Sequence, residues 1–597
     1  MADVAIATHG APRWELNSVY PYPAHPDVGV DVERARGGVA KLRASVVAFV
    51  GGPPAAERLA VLLGAYADVA DRCTTLRFYA HGLVTASSGD EAAESLEQCA
   101  IALAADLASA IVPLTLAMAR WDDATLASVC ADPRVAPDAL FVRQIADEGR
   151  HMMSGPEEEL ALELGKSGTS AWQRLYRQRA SALTFAWVDA AGAPTRVPVS
   201  MALGLLADPV RRVRADAFRA LREAWLGDSV VLAATLNAVS GTQLALSRRR
   251  GDPGPLDASL RANRVDRRIL DAMWSAVRLQ IPAFRAFLRA KARALGVPRM
   301  AMYDLTAPVG TDVEPALPYA DGLQFVVRAF GEFHAPLGEF AERANELHWI
   351  EAEARRGKST GAYCMHLPKV REPRVFMTYS GRTSVRTLAH ELGHAWHYSL
   401  MRDLPSTQQD LTMTIAETAS TFAETLVTRL AIDHAGPSER AQLLNERATF
   451  LFNILPMILA RYEFEDELYR RRAEGECSAR DLEAMSRTHF STVFGDDVEP
   501  ASVSGHAWAS TAHHFLWPYY NYPYAFGTLL SLGLYARWKV EGAAFVPKIE
   551  SFLRETGRKT ARELGDIVGV HFDRTEFWSG AVAQAVAEIA AFDAAVP

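Results

Sequence analysis

Only five cysteines stand among 597 residues, and Cys73, Cys99, Cys130, Cys364 and Cys477 are odd in number and widely scattered. No disulfide framework can be read from them, which excludes a small stapled scaffold and favours a reducing compartment. Long basic runs are also missing: 63 Lys and Arg face 71 Asp and Glu, a formal net charge of −8. Nucleic acid is therefore not an expected partner. The best membrane candidate, AIALAADLASAIVPLTLAMA at 100–119, is interrupted by Asp106 and Pro113 and owes most of its apolar content to Ala. It reads as a buried helix, so no membrane association is expected. The opening MADVAIATHGAPRWEL has no basic stretch followed by a long apolar core, unlike a secretory leader. Together these absences predict a cytoplasmic protein.

What is present is mostly helical. At 49% hydrophobic and 22% charged residues the composition is that of an ordinary globular protein, and its length exceeds what one core usually supports. Alanine-rich segments with helical periodicity run over 32–50, 55–84, 89–119, 212–227 and 267–295. Gly and Pro punctuate them at GGPP (51–54), GDPGP (251–255) and LTAPVG (305–310). Strand signals are few. ALTFAWV and TRVPVS flank DAAGAP and predict a hairpin around 182–200, and a domain boundary is expected there. That gives a helical lobe over 1–190 and a larger one over 191–597. A second strand-like stretch, GAYCMHLPKVREPRVFMTYSG (361–381), precedes the most informative segment. It is either an ordinary connecting strand or an edge on which an extended peptide could pair.

The informative segment is TLAHELGHAWHYSL (387–400), which holds three of only 16 histidines. On a helix, His390 and His394 lie one turn apart on one face, so two imidazole nitrogens can converge on one ion. Glu391 is rotated to the flank, where a carboxylate reaches a water on the metal rather than the metal. This is the H-E-x-x-H arrangement of zinc peptidases. Leu388, Ala389, Leu392, Ala395 and Trp396 make the helix an interior one, where unpaired His and Glu are costly. The longer metzincin pattern fails, because position 400 is Leu. His397 is either a residue near the metal or substrate, or a satisfied core histidine.

Catalytic zinc takes three protein ligands. In TIAETASTFAETLVTRLA (414–431), Glu417, Thr421 and Glu424 fall on one stripe of an otherwise apolar helix, which is expensive unless something positive faces it. Glu417 is the expected third ligand, with Asp403 and Asp410 as the alternatives, and Glu424 the expected partner of a ligand imidazole.

HELGHAWH followed by ETASTFAE resembles the thimet oligopeptidase family of zinc metallopeptidases, in its oligoendopeptidase F branch. RWELNSVYP (13–21), DPVRRVRADAFRA (208–220), LNAVSGTQLALSRRRG (236–251), MYDLTAPV (302–309) and HHFLWPYYNYPYAFG (513–527) extend the similarity over most of the chain. The resemblance implies a mainly α fold, two helical lobes enclosing a deep substrate channel, with a small β-sheet next to the zinc helix. It makes 1–190 an oligoendopeptidase F-like N-terminal lobe and 191–597 the zinc metallopeptidase domain. It implies one Zn2+ per chain held by His390, His394 and Glu417, with Glu391 as general base in the hydrolysis of internal bonds of short unfolded peptides. Thr378, Ser384 and the Trp517–Pro518 pair depart from the family's usual residues. A metallocarboxypeptidase, or a non-catalytic peptide-binding protein that keeps the fold, are the alternatives.

Nine of the fifteen residues of HHFLWPYYNYPYAFG are His, Phe, Trp or Tyr. Such density suits an aromatic core, yet each buried tyrosine hydroxyl needs a partner. His514, Tyr520, Tyr522 and Tyr524 are the candidates to face a substrate carbonyl as hydrogen-bond donors.

Overall fold

A computed structural model describes residues 10–188, 192–310, 317–503 and 505–596. The first nine residues, on which the reading of the opening segment partly rests, lie outside the described residues, as does part of the 182–200 turn.

The architecture is mainly helical, and the periodic segments become helices close to their expected limits: Pro26–Val50, Ala56–Ala86, Glu91–Met118 and Arg211–Gly227. The 267–295 segment is two helices, Arg267–Leu279 and Ile281–Ala294, because Pro282 suits a first helical turn and not an interior. Glu91–Met118 begins where the Asp90 carboxylate accepts the Ala92 and Ala93 N–H groups. It buries one stripe, Ala93, Leu96, Ala100, Leu103, Leu107, Ala110 and Leu114. Glu91–Met118, Ser229–Arg249 and Pro437–Arg472 are long and apolar enough to cross a membrane by length and composition.

The chain forms two compact units, each discontinuous in sequence. The first comprises Met1–Met152, Glu314–Leu430 and Arg537–His571; the second comprises Met153–Val313, Ala431–Ala536 and Phe572–Pro597. The boundary expected near residue 190 rests on the hairpin signal in the sequence, whereas these units are discontinuous along it.

In the first unit the long N-terminal helices share a core that includes Leu42, Val46, Leu76, Tyr79 and Leu103, and it reaches Met365 and Leu367. Those last two belong to a three-stranded sheet of β3 (Ile350–Glu351), β4 (Tyr363–Leu367) and β5 (Glu372–Phe376), in the order β3-β5-β4. β4 pairs antiparallel with β5, Cys364 opposite Val375, and β3 runs parallel to β5. The N-terminal segment covers the β3 side, through Ala352 N–H to Pro12 O at 2.8 Å and Glu15 N–H to His348 O at 2.8 Å. β4 is the strand left at the other edge. Lys358, ahead of it in the chain, donates to the carbonyls of Glu351 and Glu353 and stands 2.9 Å from the buried Glu351 carboxylate.

In the second unit the expected hairpin is present: β1 (Thr184–Val188) pairs antiparallel with β2 (Pro194–Pro198). Trp225, Leu232, Leu236, Phe464, Leu468, Trp508 and Phe515 lie in a helical core of this unit.

Candidate metal centre

The Thr383–Leu400 helix lies in the first unit, beside β4 and β5. It crosses the Met413–His434 helix at Gly393, where a side chain would have met the Ala419 carbonyl. The close crossing brings Glu417 to the histidines. His390 Nε2 and His394 Nε2 are 3.2 Å apart and stand 3.3 and 3.6 Å from Glu417 Oε2. Ser420 Oγ donates to the same carboxylate oxygen at 2.9 Å and fixes its direction. Among the described residues this is the one group of three His, Cys, Asp or Glu donors gathered closely enough to hold a metal ion.

The remote nitrogen of His390 is also engaged, with Nδ1 2.6 Å from Glu424 Oε1. A proton on Nδ1, held by Glu424, leaves the Nε2 lone pair for the centre of the triad. Burial disfavours charge on His390, but Glu424, Glu391 and Glu417 outweigh it and push its pKa up to about 9. Burial alone would raise Glu417; the two imidazoles override it and hold the carboxyl at about 2. A cation at the centre satisfies the same electrostatic demand. Two imidazoles and one carboxylate, with a second carboxylate behind, fit zinc with a coordination position left over.

Glu391 flanks the triad as its spacing predicts. It is 4% exposed, and its Oε2 is sealed from solvent without a hydrogen-bond partner. Burial raises its pKa, and the nearby histidines only partly offset that.

His397 turns away. It is fully buried, with Nε2 3.0 Å from Leu553 O and 2.9 Å from Thr556 Oγ1, so it is the core histidine of the two readings. Asp403 forms a two-pronged ion pair with Arg554, at 2.7 and 2.8 Å, and is not gathered with the histidines. Sequence reasoning passes over Cys364 and Tyr398. Burial pushes the Cys364 thiol well above its usual pKa and the Glu391 charge adds to that; Tyr398 stacks on His366 at 4.6 Å. The i+4 spacing of Tyr398 from His394, and the alternation of Cys364 and His366 on β4, are the signals that could have found them.

The His- and Tyr-rich stretch belongs to the second unit. His514 is buried, its ring 5.0 Å from Phe464 and its Nδ1 3.5 Å from Glu465 Oε2. Tyr522 is 1% exposed, with its hydroxyl 3.4 Å from Ser259 O. Tyr520 and Tyr524 are only half-buried and pack with His513, at ring distances of 4.9 and 6.0 Å. His513 is oriented by Asn521 Oδ1, 2.8 Å from its Nδ1. The structure thus gathers two of the four expected side chains, adds His513, and seats the other two in the interior.

The sequence pattern of Peptidase family M3 matches residues 205–564, and that of Oligopeptidase F matches residues 118–185. The Oligoendopeptidase F homolog of Lactococcus lactis subsp. lactis is 24% identical over 330 residues, 53% of this chain and 53% of that protein. The Group B oligopeptidase PepB of Streptococcus agalactiae is 22% identical over 394 residues, 65% of each. The chain therefore spans about half to two-thirds of the length of these curated relatives. Oligoendopeptidase-F from Enterococcus faecium shares the fold at a TM-score of 0.70 and 16% identity, over 96% of this chain and 99% of that one. A Chlamydophila abortus protein whose peptidase assignment is provisional does so at 0.86 and 16%, over 99% of both chains.

Proposed function

The chain belongs to peptidase family M3, and on that premise we propose that it is a zinc-dependent endopeptidase of the oligoendopeptidase F kind. Its substrates are short, unfolded peptides, cut at internal bonds in a cytoplasmic setting. One observation carries the reading: a gathered His390–His394–Glu417 donor set flanked by a buried carboxylate with an unpartnered oxygen, Glu391 Oε2.

His390, His394 and Glu417 would hold the metal. Zinc, when bound, supplies Lewis acidity that polarises the scissile carbonyl and acidifies a coordinated water. Glu391 Oε2 takes a proton from the attacking water and returns it to the leaving amine; burial, which raises its pKa, makes it a better acceptor. Glu424 holds the His390 ring in the tautomer that points Nε2 inward. The outer edge of β4 offers backbone groups to an extended peptide. Tyr520 and Tyr524, with His513, are the donors proposed for the developing oxyanion, since they are the half-buried members of the His- and Tyr-rich stretch.

The test is digestion of a mixed peptide pool read by mass spectrometry, with and without chelator, including peptides blocked at both ends. Internal cuts in blocked peptides, lost on chelation and restored by zinc, are expected. Cleavage confined to free C-termini would make the protein a carboxypeptidase, and undiminished cleavage in metal-free protein would remove the zinc reading.

A further inference from the structure

Only alternate residues of β4 use their backbone groups inside the sheet. On β5, the Val375 N–H is donated to Trp349 O and the Met377 N–H to Glu351 O, each at 2.9 Å on the β3 side. Glu372, Arg374 and Phe376 therefore face β4 and pair with Leu367, Met365 and Tyr363. Pro373, opposite His366, has no N–H to give. The N–H and C=O groups of Cys364 and His366 accordingly point outward from the free edge. Their side chains share one face of the strand. That face meets the Thr383–Leu400 helix: the Glu391 charge acts on Cys364, and Tyr398 stacks on His366 at 4.6 Å.

The edge and the helix thus leave the metal centre together, within the first unit. From Glu391 to Tyr398 the helix rises about 10 Å, the span of about three residues of extended peptide. There a cavity of about 10 Å3, room for one water-sized group, is lined by His366, Tyr398, Arg371 and Arg402. His366 Nδ1 is sealed from solvent without a partner. Among the described residues the Tyr398 hydroxyl makes no hydrogen bond, and Arg371 and Arg402 make neither a hydrogen bond nor an ion pair.

Nearby acids are engaged elsewhere. Glu372, also in the lining, accepts from Arg374 at 2.9 Å and Ser18 at 3.3 Å. Asp71, whose charge Arg371 favours, accepts from Ser406, and Asp403 is held by Arg554 at 2.7 and 2.8 Å. Asp410, whose charge reaches Tyr398, is partnered as well. Burial draws the His366 pKa down to about 4, so the ring is neutral at pH 7 and one nitrogen can donate. Two uncommitted guanidinium groups beside two neutral donors suit a carboxylate, and a space this small admits one of its oxygens.

We propose that Arg371 and Arg402, with Tyr398 and His366, bind a substrate carboxylate about three residues from the cleaved bond. The proposal rests on the peptidase reading above and on pairing of the peptide with β4. It adds a side-chain preference that backbone pairing alone does not supply. The carboxylate is that of an Asp or Glu, or of a chain end that falls at the same place.

The experiment gives the zinc-loaded enzyme a peptide blocked at both ends, with one Glu moved along it position by position and Gln as reference. Mass spectrometry locates each cut. In wild type, Glu about three residues from the cut should raise kcat/KM about tenfold through KM, the worth of a charged hydrogen-bonded contact. Arg371→Gln and Arg402→Gln should each reduce that preference, and the double variant should abolish it through loss on the Glu peptide. A second series, trimmed to end at that place as free acid or amide, separates the two sources. A gain in the blocked series assigns the site to side chains, and a gain confined to the free acids assigns it to the chain end. No carboxylate preference in either series with wild type overturns the proposal, whether or not the variants fold. So does a preference that survives in the double variant at an unchanged melting temperature, or one confined to residues flanking the cut. Absence of hydrolysis in every arm would remove the peptidase reading, and this proposal with it.

Discussion

Gly393 passes Ala419 so closely that a β-carbon on it would stand 2.7 Å from the Ala419 carbonyl oxygen and 2.8 Å from the Ser420 α-carbon. Both obstacles are backbone, so neither can swing aside. Glu417 is two residues from Ala419 and moves with it. Gly393→Ala should therefore part the two helices, weaken metal binding by about ten- to a hundredfold and cost about 1–3 kcal/mol of stability. Gly64, on the Ala56–Ala86 helix with nothing within 4 Å of a built β-carbon, is the control. Gly64→Ala should be neutral or slightly stabilising. Metal titration and melting of the two variants side by side check this, and equal metal affinity would show that the crossing does not set the triad.

Two glutamates near the triad should fail differently. Glu391→Gln removes an acceptor and no donor to the metal, so metal content should hold while kcat falls at least ~10²-fold. Glu424→Gln keeps shape but loses the charge behind His390, and should weaken metal affinity by roughly 10–100-fold, with kcat recovering as zinc is added. Metal analysis after dialysis, paired with turnover at saturating zinc, separates the two roles.

His397 ties the histidine helix to Leu553 and Thr556 through one nitrogen, and burial drives its pKa down to about 3. Its folded value lies below the unfolded one of about 6.5, so between those limits the unfolded chain binds the extra proton. Its contribution to stability is present above pH 6.5 and drains away as pH falls toward 3. His397→Gln should lower stability at pH 7 by about 1–3 kcal/mol, since a donor to Leu553 O is only partly replaced. The same variant should flatten the loss between pH 6.5 and 4. Denaturant melts of wild type and variant at several pH values give the difference curve, and a difference independent of pH would contradict a neutral buried imidazole.

Local pattern made the metal centre legible. His390, Glu391 and His394 lie within two turns of one helix, and Glu417 and Glu424 sit on one stripe of another, so periodicity alone orients them. Partners far along the chain were not legible. Nothing in HAWH says that the third histidine reaches a carbonyl 156 residues on, or that Arg554 closes on Leu400 and Asp403. The covering of the β3 edge by Pro12–Glu15 has no sequence signal either, because it runs through backbone groups.

His513 and His514 are adjacent in sequence and face different surroundings, and this yields the last prediction. Neighbouring positions on the short His513–Leu516 helix are about 100° apart, so one side chain can turn inward while the other stays partly exposed. His514 packs on Phe464 and near Glu465 inside the second unit; His513 joins Tyr520 and Tyr524. His514→Ala should therefore act through the fold, lowering the melting temperature with an activity loss that tracks the unfolded fraction. Tyr522→Phe, at a hydroxyl 3.4 Å from Ser259 O, should be nearly silent in kcat. Tyr520→Phe or Tyr524→Phe should lower kcat by roughly 10²–10³ at whichever position supplies the oxyanion donor, with zinc content and melting temperature near wild type. His513→Ala should share that signature more weakly, since it positions the tyrosine rings. Should His514→Ala cost kcat at full stability while Tyr520→Phe, Tyr524→Phe and His513→Ala leave it intact, the half-buried cluster is packing and the donor lies elsewhere.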